Sequence, residues 1–188
     1  MKIYTVGDSH SWHAWMRIPG VETRSIGPMT MYSFGLANPY VVGHIPNDAT
    51  VVYCWGEIDC RCHVHKHQPW DKCIDSLVEN YVKVVKNNMK THPNGWIYNV
   101  VPPPKRDESS EQFGGGFPFV GSNEDRLKYV RYMNKKLKES GLPFIDLYDK
   151  YCDEDGYLRL DISDDHVHVS DEKPIIEWIE ARQKEEEW

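Results

Sequence analysis

The sequence predicts an α/β protein in which a parallel five-stranded sheet carries helices on both faces. Five short apolar runs alternate along the chain with stretches of helical periodicity, the pattern expected of repeated strand-helix units. The third run, residues 50–55, is continuous and contains enough β-branched residues to be a strand buried on both faces. The chain has 188 residues and 40% hydrophobic content, so we expect one domain spanning residues 1–188.

The predicted elements follow one another along the whole chain. Strands are expected at residues 3–6, 21–26, 50–55, 96–101 and 144–147, with a short extra strand at 157–160. Helices are expected at residues 70–89, after a cap at Asn123 as far as Gly141, and from Asp171 after a cap at Ser170. Residues 105–121 have no period and are expected to form a loop over one end of the sheet.

Charge and composition exclude several classes of function. The net charge of −7 and the pI near 5.7 argue against a nucleic-acid partner, which needs a basic surface. No apolar run approaches eighteen residues and the N-terminus has no secretion signal pattern, so we expect a cytoplasmic protein without a membrane partner. The five cysteines are an odd number without regular spacing and are expected to be reduced. The sequence does not indicate an oligomeric state.

The stretch from Gly7 to His10 is the first candidate for chemistry. It follows directly on the first predicted strand, where a serine hydroxyl can face outward at the edge of the sheet. Ser9 is therefore a candidate nucleophile. Glycine, aspartate and serine are also ordinary turn residues, so a helix cap is the alternative interpretation of Ser9.

A serine nucleophile needs a base, and the far end of the chain offers one. A neutral imidazole held by an acid is the usual partner of a nucleophilic serine. Among the nine histidines, His168 is distinguished by Asp165 three residues before it. Since the carboxyl ends of parallel strands meet at one edge of the sheet, the segment from Asp165 to His168 can close onto Ser9.

In these residues the chain resembles the SGNH/GDSL hydrolases. The matching blocks, in the order the family has them, are Gly7-Asp8-Ser9, Gly27, Gly56-Glu57-Ile58-Asp59 and Asp165-His166-Val167-His168. The resemblance implies a flavodoxin-like three-layer fold and ester hydrolysis or acyl transfer through an acyl-enzyme. It assigns Ser9 as nucleophile, His168 as base, Asp165 as the acid that orients it, and Gly27 as an oxyanion donor.

The third block departs from the family, which places an oxyanion-binding asparagine where this chain has Ile58. An oxyanion donor is worth on the order of 10²–10³ in rate. Three explanations are open: backbone amides of Ser9 and Gly27 suffice, Arg61 supplies the donor, or the protein is a slow enzyme or a binding module. An ion pair with Glu57 or Asp59 is the alternative role of Arg61. Gly35 is an alternative to Gly27.

Substrate and metal sites can also be considered from the sequence. Asp8 and Gly56, which lie in the matching blocks, and Trp12, which could stack on a sugar ring, are the predicted substrate-binding residues. Residues 60–67 are rich in cysteine and histidine, but their spacing differs from that of structural zinc sites. We therefore predict no metal and no cofactor, and expect these residues either to line the rim of the cleft or to pair with nearby acids.

These observations predict a serine esterase or acyltransferase whose substrate is a small-molecule or glycan ester, with acetyl as the expected acyl group. The alternatives are a glycan-binding module that has kept the fold and lost activity, and a metal-dependent hydrolase that uses the cysteine and histidine loop.

Overall fold

A computed structural model describes residues 2–106, 117–164 and 166–186 of the chain. Its centre is a five-stranded sheet in the order β2-β1-β3-β4-β5, and every neighbouring pair is parallel. The strands are β1 (Ile3–Gly7), β2 (Val21–Ser25), β3 (Thr50–Cys54), β4 (Gly95–Tyr98) and β5 (Phe144–Ile145). The predicted five-stranded parallel sheet is confirmed.

Helices cover both faces of the sheet. They are α1 (Met31–Ala37), α2 (Trp70–Asn88), α3 (Asn123–Glu139), α4 (Tyr148–Tyr151) and α5 (Lys173–Glu186). The central strand β3 alternates between the two resulting cores: Val51 and Tyr53 pack with α1, α2 and α3, whereas Val52 and Cys54 face Trp15 and the α5 side. The fold therefore has three layers, as predicted. No helix within the described ranges is long and apolar enough to cross a membrane.

Several predicted boundaries differ from the structure. Helix α5 begins at Lys173 and not at Asp171, and β4 ends at Tyr98, three residues before the predicted end. The fifth strand is two residues long because Leu147 already leads into α4. Ser122, and not Asn123, caps α3. Its side-chain oxygen accepts the backbone N–H of Asp125, and the carboxylate of Asp125 accepts the backbone N–H of Ser122. The predicted strand at 157–160 is reduced to a single bridge between Cys152 and Leu158.

Helix α1 is an element that the local sequence pattern did not predict. It has only seven residues and contains Gly35. A Cβ on Gly35 would lie 3.0–3.4 Å from atoms of Asn80 and Tyr81, so glycine here lets α1 pack closely on α2. The first two amides of α1, those of Met31 and Tyr32, donate to the carboxylate of Asp59. Tertiary contacts therefore stabilise this helix more than its own sequence does.

Candidate active site

Ser9 lies just beyond the carboxyl end of β1, where the strand gives way to a short 3-10 turn (Ser9–Ser11). Gly7 makes this turn possible, because a Cβ there would lie 2.0 Å from the carbonyl oxygen of Cys54 on the neighbouring strand. Asp8 caps the turn: its Oδ1 accepts the backbone N–H of His10 at 2.9 Å. Ser9 thus occupies a fixed position at the edge of the sheet, with its side chain partly accessible.

The imidazole of His168 reaches Ser9 from the far end of the chain. Its Nε2 lies 2.8 Å from Ser9 Oγ, and its Nδ1 lies 2.6 Å from Oδ2 of Asp164. Oδ1 of Asp164 also accepts the backbone N–H groups of His166 and His168, each at 3.0 Å. These backbone bonds fix the carboxylate, so it can hold the imidazole with Nε2 directed at the serine. The three groups form a continuous hydrogen-bonded chain of the kind that activates a serine hydroxyl.

The acid in this chain of hydrogen bonds differs from the predicted one. Asp165, which the sequence predicts, lies outside the described residues. The carboxylate on Nδ1 belongs to Asp164, four residues before His168. The physical reason is the turn at Asp164, whose two backbone bonds direct its side chain back toward the ring. We therefore assign the orienting role to Asp164.

Two further histidines lie against His168. The ring of His13 stacks on it with a centroid distance of 3.7 Å and an interplanar angle of 8°, and the ring of His10 lies 4.9 Å away. Burial, together with the charge of His10, lowers the pKa of His168 to about 4, although the hydrogen bond that Asp164 accepts from the ring acts in the opposite direction. An imidazole with a lowered pKa is neutral throughout the physiological range, which is the form that a general base requires.

This lowered pKa predicts an unusual acid limit for any reaction that uses His168 as base. The unprotonated form persists as the pH falls below the usual imidazole pKa of about 6.5, so the rate should stay level and decline only as the pH passes through about 4. A pH profile of kcat/KM measures this limit, with circular dichroism at each pH to show that the protein is folded. A half-maximal rate near pH 6.5 would contradict the prediction.

Arg61, a predicted oxyanion donor, is committed to other partners. Its Nε and Nη2 bind the two carboxylate oxygens of Glu57 at 2.6 and 3.0 Å, and its Nη1 donates to the carbonyl oxygen of Phe117. Both members of this ion pair are buried, with side chains 7–8% exposed. The ion pair with Glu57, which was the alternative role, is the one that forms. Arg61 is therefore a structural partner of Glu57.

The structure also corrects two predicted substrate contacts. Asp8 is fully buried under the turn that it caps, and burial raises its pKa to about 6. A Cβ on Gly56 would lie 2.8–3.0 Å from side-chain atoms of Met133, Val100 and Met31, so that glycine serves core packing. Both residues therefore lie in the interior of the protein.

Trp12 lies beside His13, and Gly27 lies in the loop after β2. Trp12 is 43% exposed, and its ring meets the ring of His13 edge to face at 5.0 Å, next to the base. Gly27 has a φ of +80° in the loop after β2, and its N–H donates to Ser25 Oγ at 3.4 Å. The oxyanion role of Gly27 stays a prediction.

Two groups of side chains have the composition of a metal site. In residues 60–67 the side chains diverge: Cys60 Sγ lies 3.7 Å from Met133 Sδ, while His65 Nδ1 contacts the hydroxyl of Tyr129 at 3.0 Å. His13, Asp164 and His168 place ligand atoms within 4.8 Å of one another. The rings of these two histidines are parallel, however, so their nitrogen lone pairs point in parallel planes and do not converge on one ion. Neither arrangement fits a metal as it stands.

Comparison with known proteins places the fold in a known architecture. The chain matches solved structures over nearly its whole length. The chain has the fold of the GDSL-like hydrolases. Against a GDSL-like lipase from Bacteroides thetaiotaomicron the TM-score is 0.64 at 17% identity, covering 100% of this chain and 89% of the other.

Two other similar structures are of proteins named as esterases. A Mycobacterium smegmatis aryl esterase has a TM-score of 0.61 at 14% identity, covering 98% of this chain and 99% of that one. An acetyl xylan esterase has a TM-score of 0.54 at 17% identity, covering 93% and 94%. No family model and no curated protein matches the sequence. At these identities the likeness establishes the fold, and it supports the predicted flavodoxin-like arrangement.

Three residues of the site were given no role from the sequence: His10, His13 and Asp164. His10 directly follows the first matching block and Glu57 lies within the third, but the contact between them was not predicted. His13 carried no sequence signal, because its stacking on His168 joins segments at opposite ends of the chain.

Proposed function

We propose that the protein is a serine esterase that removes small acyl groups, with acetyl preferred, from carbohydrate esters. The observation that supports this proposal is the hydrogen-bonded chain from Ser9 Oγ through His168 to Asp164, with distances of 2.8 and 2.6 Å. The likeness in fold to a GDSL-like lipase, an aryl esterase and an acetyl xylan esterase supports ester hydrolysis as the reaction.

The reaction proceeds in two halves. Ser9 Oγ attacks the ester carbonyl carbon while Nε2 of His168 takes the hydroxyl proton, and Asp164 stabilises the imidazolium that forms. The tetrahedral intermediate then breaks its bond to the alcohol oxygen, which leaves with the proton from His168. In the second half His168 takes a proton from water, the water oxygen attacks the acyl-serine, and the carboxylic acid leaves as Ser9 Oγ regains the proton.

The preference for a small acyl group and a sugar comes from the surroundings of Ser9. The side chains beside the Ser9 and His168 pair are imidazoles and carboxylates, which do not favour a long aliphatic chain. The half-exposed ring of Trp12, next to His13, offers an apolar face for a sugar ring. Both features suit an acetylated saccharide better than a lipid.

A comparison of acyl chain lengths tests the substrate class. With p-nitrophenyl esters, we expect kcat/KM to be highest for acetate and to fall by about 10-fold or more at eight carbons, because the imidazoles and carboxylates beside Ser9 offer additional methylenes little apolar surface. Acetylated xylo-oligosaccharides should also release acetate. Trp12→Ala should raise KM for the oligosaccharide by more than it does for p-nitrophenyl acetate. A preference for octanoate would contradict the proposed substrate class.

Labelling with a fluorophosphonate probe tests the reaction itself. The probe reacts with an activated serine, so the protein should be labelled at Ser9 and Ser9→Ala should not. If the protein stays unlabelled but binds oligosaccharides, it is instead a glycan-binding module. That alternative follows from Ile58, which stands where the family has an oxyanion-binding asparagine.

A further inference from the structure

A buried set of ionisable side chains lies directly beside the nucleophile and is not used by the reaction as described so far. It consists of Asp8, His10, Glu57 and Arg61, all of which are at most 7% exposed. Burying four ionisable groups costs free energy unless they are paired or serve the chemistry. Arg61 and Glu57 satisfy one another through two hydrogen bonds. The remaining question is what His10 does.

The position of His10 is fixed from both sides. Its backbone N–H donates to Asp8 Oδ1 at 2.9 Å, which anchors the residue that follows the nucleophile. Its ring lies 4.9 Å from that of His168, and its Nε2 lies 3.7 Å from Glu57 Oε2. At that distance Nε2 is too far for a hydrogen bond. This nitrogen is one of the buried polar atoms that lack a hydrogen-bond partner among the described residues.

The groups around this ring favour its interaction with an anion. Burial alone would lower the pKa of His10, but the carboxylates of Glu57 and Asp8 outweigh burial, and the pKa is raised. Glu57 itself remains ionised, because His10 and Arg61 overcome the effect of burial and lower its pKa to about 2. The ring of His10, which follows Ser9 in the chain, therefore lies 3.7 Å from an ionised carboxylate that favours its protonated form.

The same part of the sheet edge lacks the asparagine side chain that donates to the oxyanion in the SGNH/GDSL pattern. Ile58 is 4% exposed and offers no side-chain N–H, and Arg61 is occupied by Glu57 and Phe117. A reaction that passes through a tetrahedral oxyanion needs donors aimed at it. We propose that the His10 imidazole, held by Asp8 and Glu57, donates to the oxyanion in place of the asparagine side chain that Ile58 cannot supply. This inference rests on the proposed esterase function.

Substitutions at His10 test this role. His10→Leu should lower kcat for p-nitrophenyl acetate by about 10²–10³, the usual cost of one oxyanion donor, with KM changed by less than about 3-fold. His10→Gln keeps an N–H donor at the end of a side chain of similar reach and should recover at least 10-fold of that loss. His44→Leu makes the same change at an exposed histidine outside the predicted site; it is the matched control and should keep the wild-type rate.

A second variant asks whether His10 and the missing asparagine do the same task. Ile58→Asn restores the family's residue, so it should recover activity in the His10→Leu background by 10-fold or more and add less than 3-fold to the wild type. Thermal unfolding of every variant shows whether the protein is folded. The inference is overturned if folded His10→Leu keeps its kcat, or if His10→Gln and His10→Leu are equally slow.

Different experimental results would contradict this inference and the proposed function. If the wild-type protein neither hydrolyses esters nor reacts with the fluorophosphonate probe, the esterase function itself is wrong. If the wild type is active and labelled while His10→Leu is as fast, only the role of His10 is wrong.

Discussion

Ser9→Ala is expected to lower kcat/KM for p-nitrophenyl acetate by about 10⁵–10⁶, as loss of the nucleophile does in other serine hydrolases. The substitution removes the atom that forms the acyl-enzyme, and it leaves His168 without its partner at 2.8 Å. The residual rate comes from the remaining polar groups of the site. Initial rates at saturating and at low substrate concentrations measure the effect.

Ser76→Ala is a suitable control, because Ser76 is an exposed residue on α2, remote from the triad. It should leave the rate unchanged. If Ser9→Ala kept more than about a tenth of the wild-type rate, a nucleophile other than Ser9 would be at work, and covalent catalysis through Ser9 would be refuted.

Asp164→Asn is expected to lower kcat by about 10³–10⁴, the size of effect seen when the acid of such a triad becomes an amide. The amide N–H₂ would donate toward Nδ1 of His168, so the ring would carry its proton on Nε2 and could not accept one from Ser9. The present carboxylate accepts from Nδ1 at 2.6 Å and keeps Nε2 free for that purpose. Steady-state kinetics at pH 7.5 measure the loss.

Asp165→Asn is the matched control for this prediction, because it makes the same chemical change one residue along the chain. We expect it to lower kcat less than 5-fold. The prediction is contradicted if Asp165→Asn lowers kcat strongly while Asp164→Asn lowers it little. Asp165, the residue predicted from the sequence, would then orient His168.

The fold could be predicted because its determinants are local. The strands β1 and β3 are short apolar runs, and a periodic apolar face marks α2 along its whole length. Helix α1 could not be predicted in this way. Its first two amides, those of Met31 and Tyr32, donate to the carboxylate of Asp59, which lies far along the chain. Burial raises the pKa of that carboxyl to about 7. No local sequence pattern indicates this contact.

The site was predictable to the level of residue type and segment but not of individual contacts. Ser9 and His168 follow from the order of motifs, and the structure brings their side chains together. The choice between Asp164 and Asp165 depends on which carboxylate a turn directs toward the ring, and two adjacent aspartates have the same sequence signature. For Arg61, the deciding fact is that Glu57 lies four residues earlier on the same turn and accepts two hydrogen bonds from it.

The bond between Ser9 Oγ and His168 Nε2 joins positions 159 residues apart, and this has a consequence for biosynthesis. During synthesis the serine is made long before its activating imidazole. A chain that lacks His168 therefore holds an inert hydroxyl. Reaction of Ser9 with an active-site label thus counts molecules in which both segments are present and folded together.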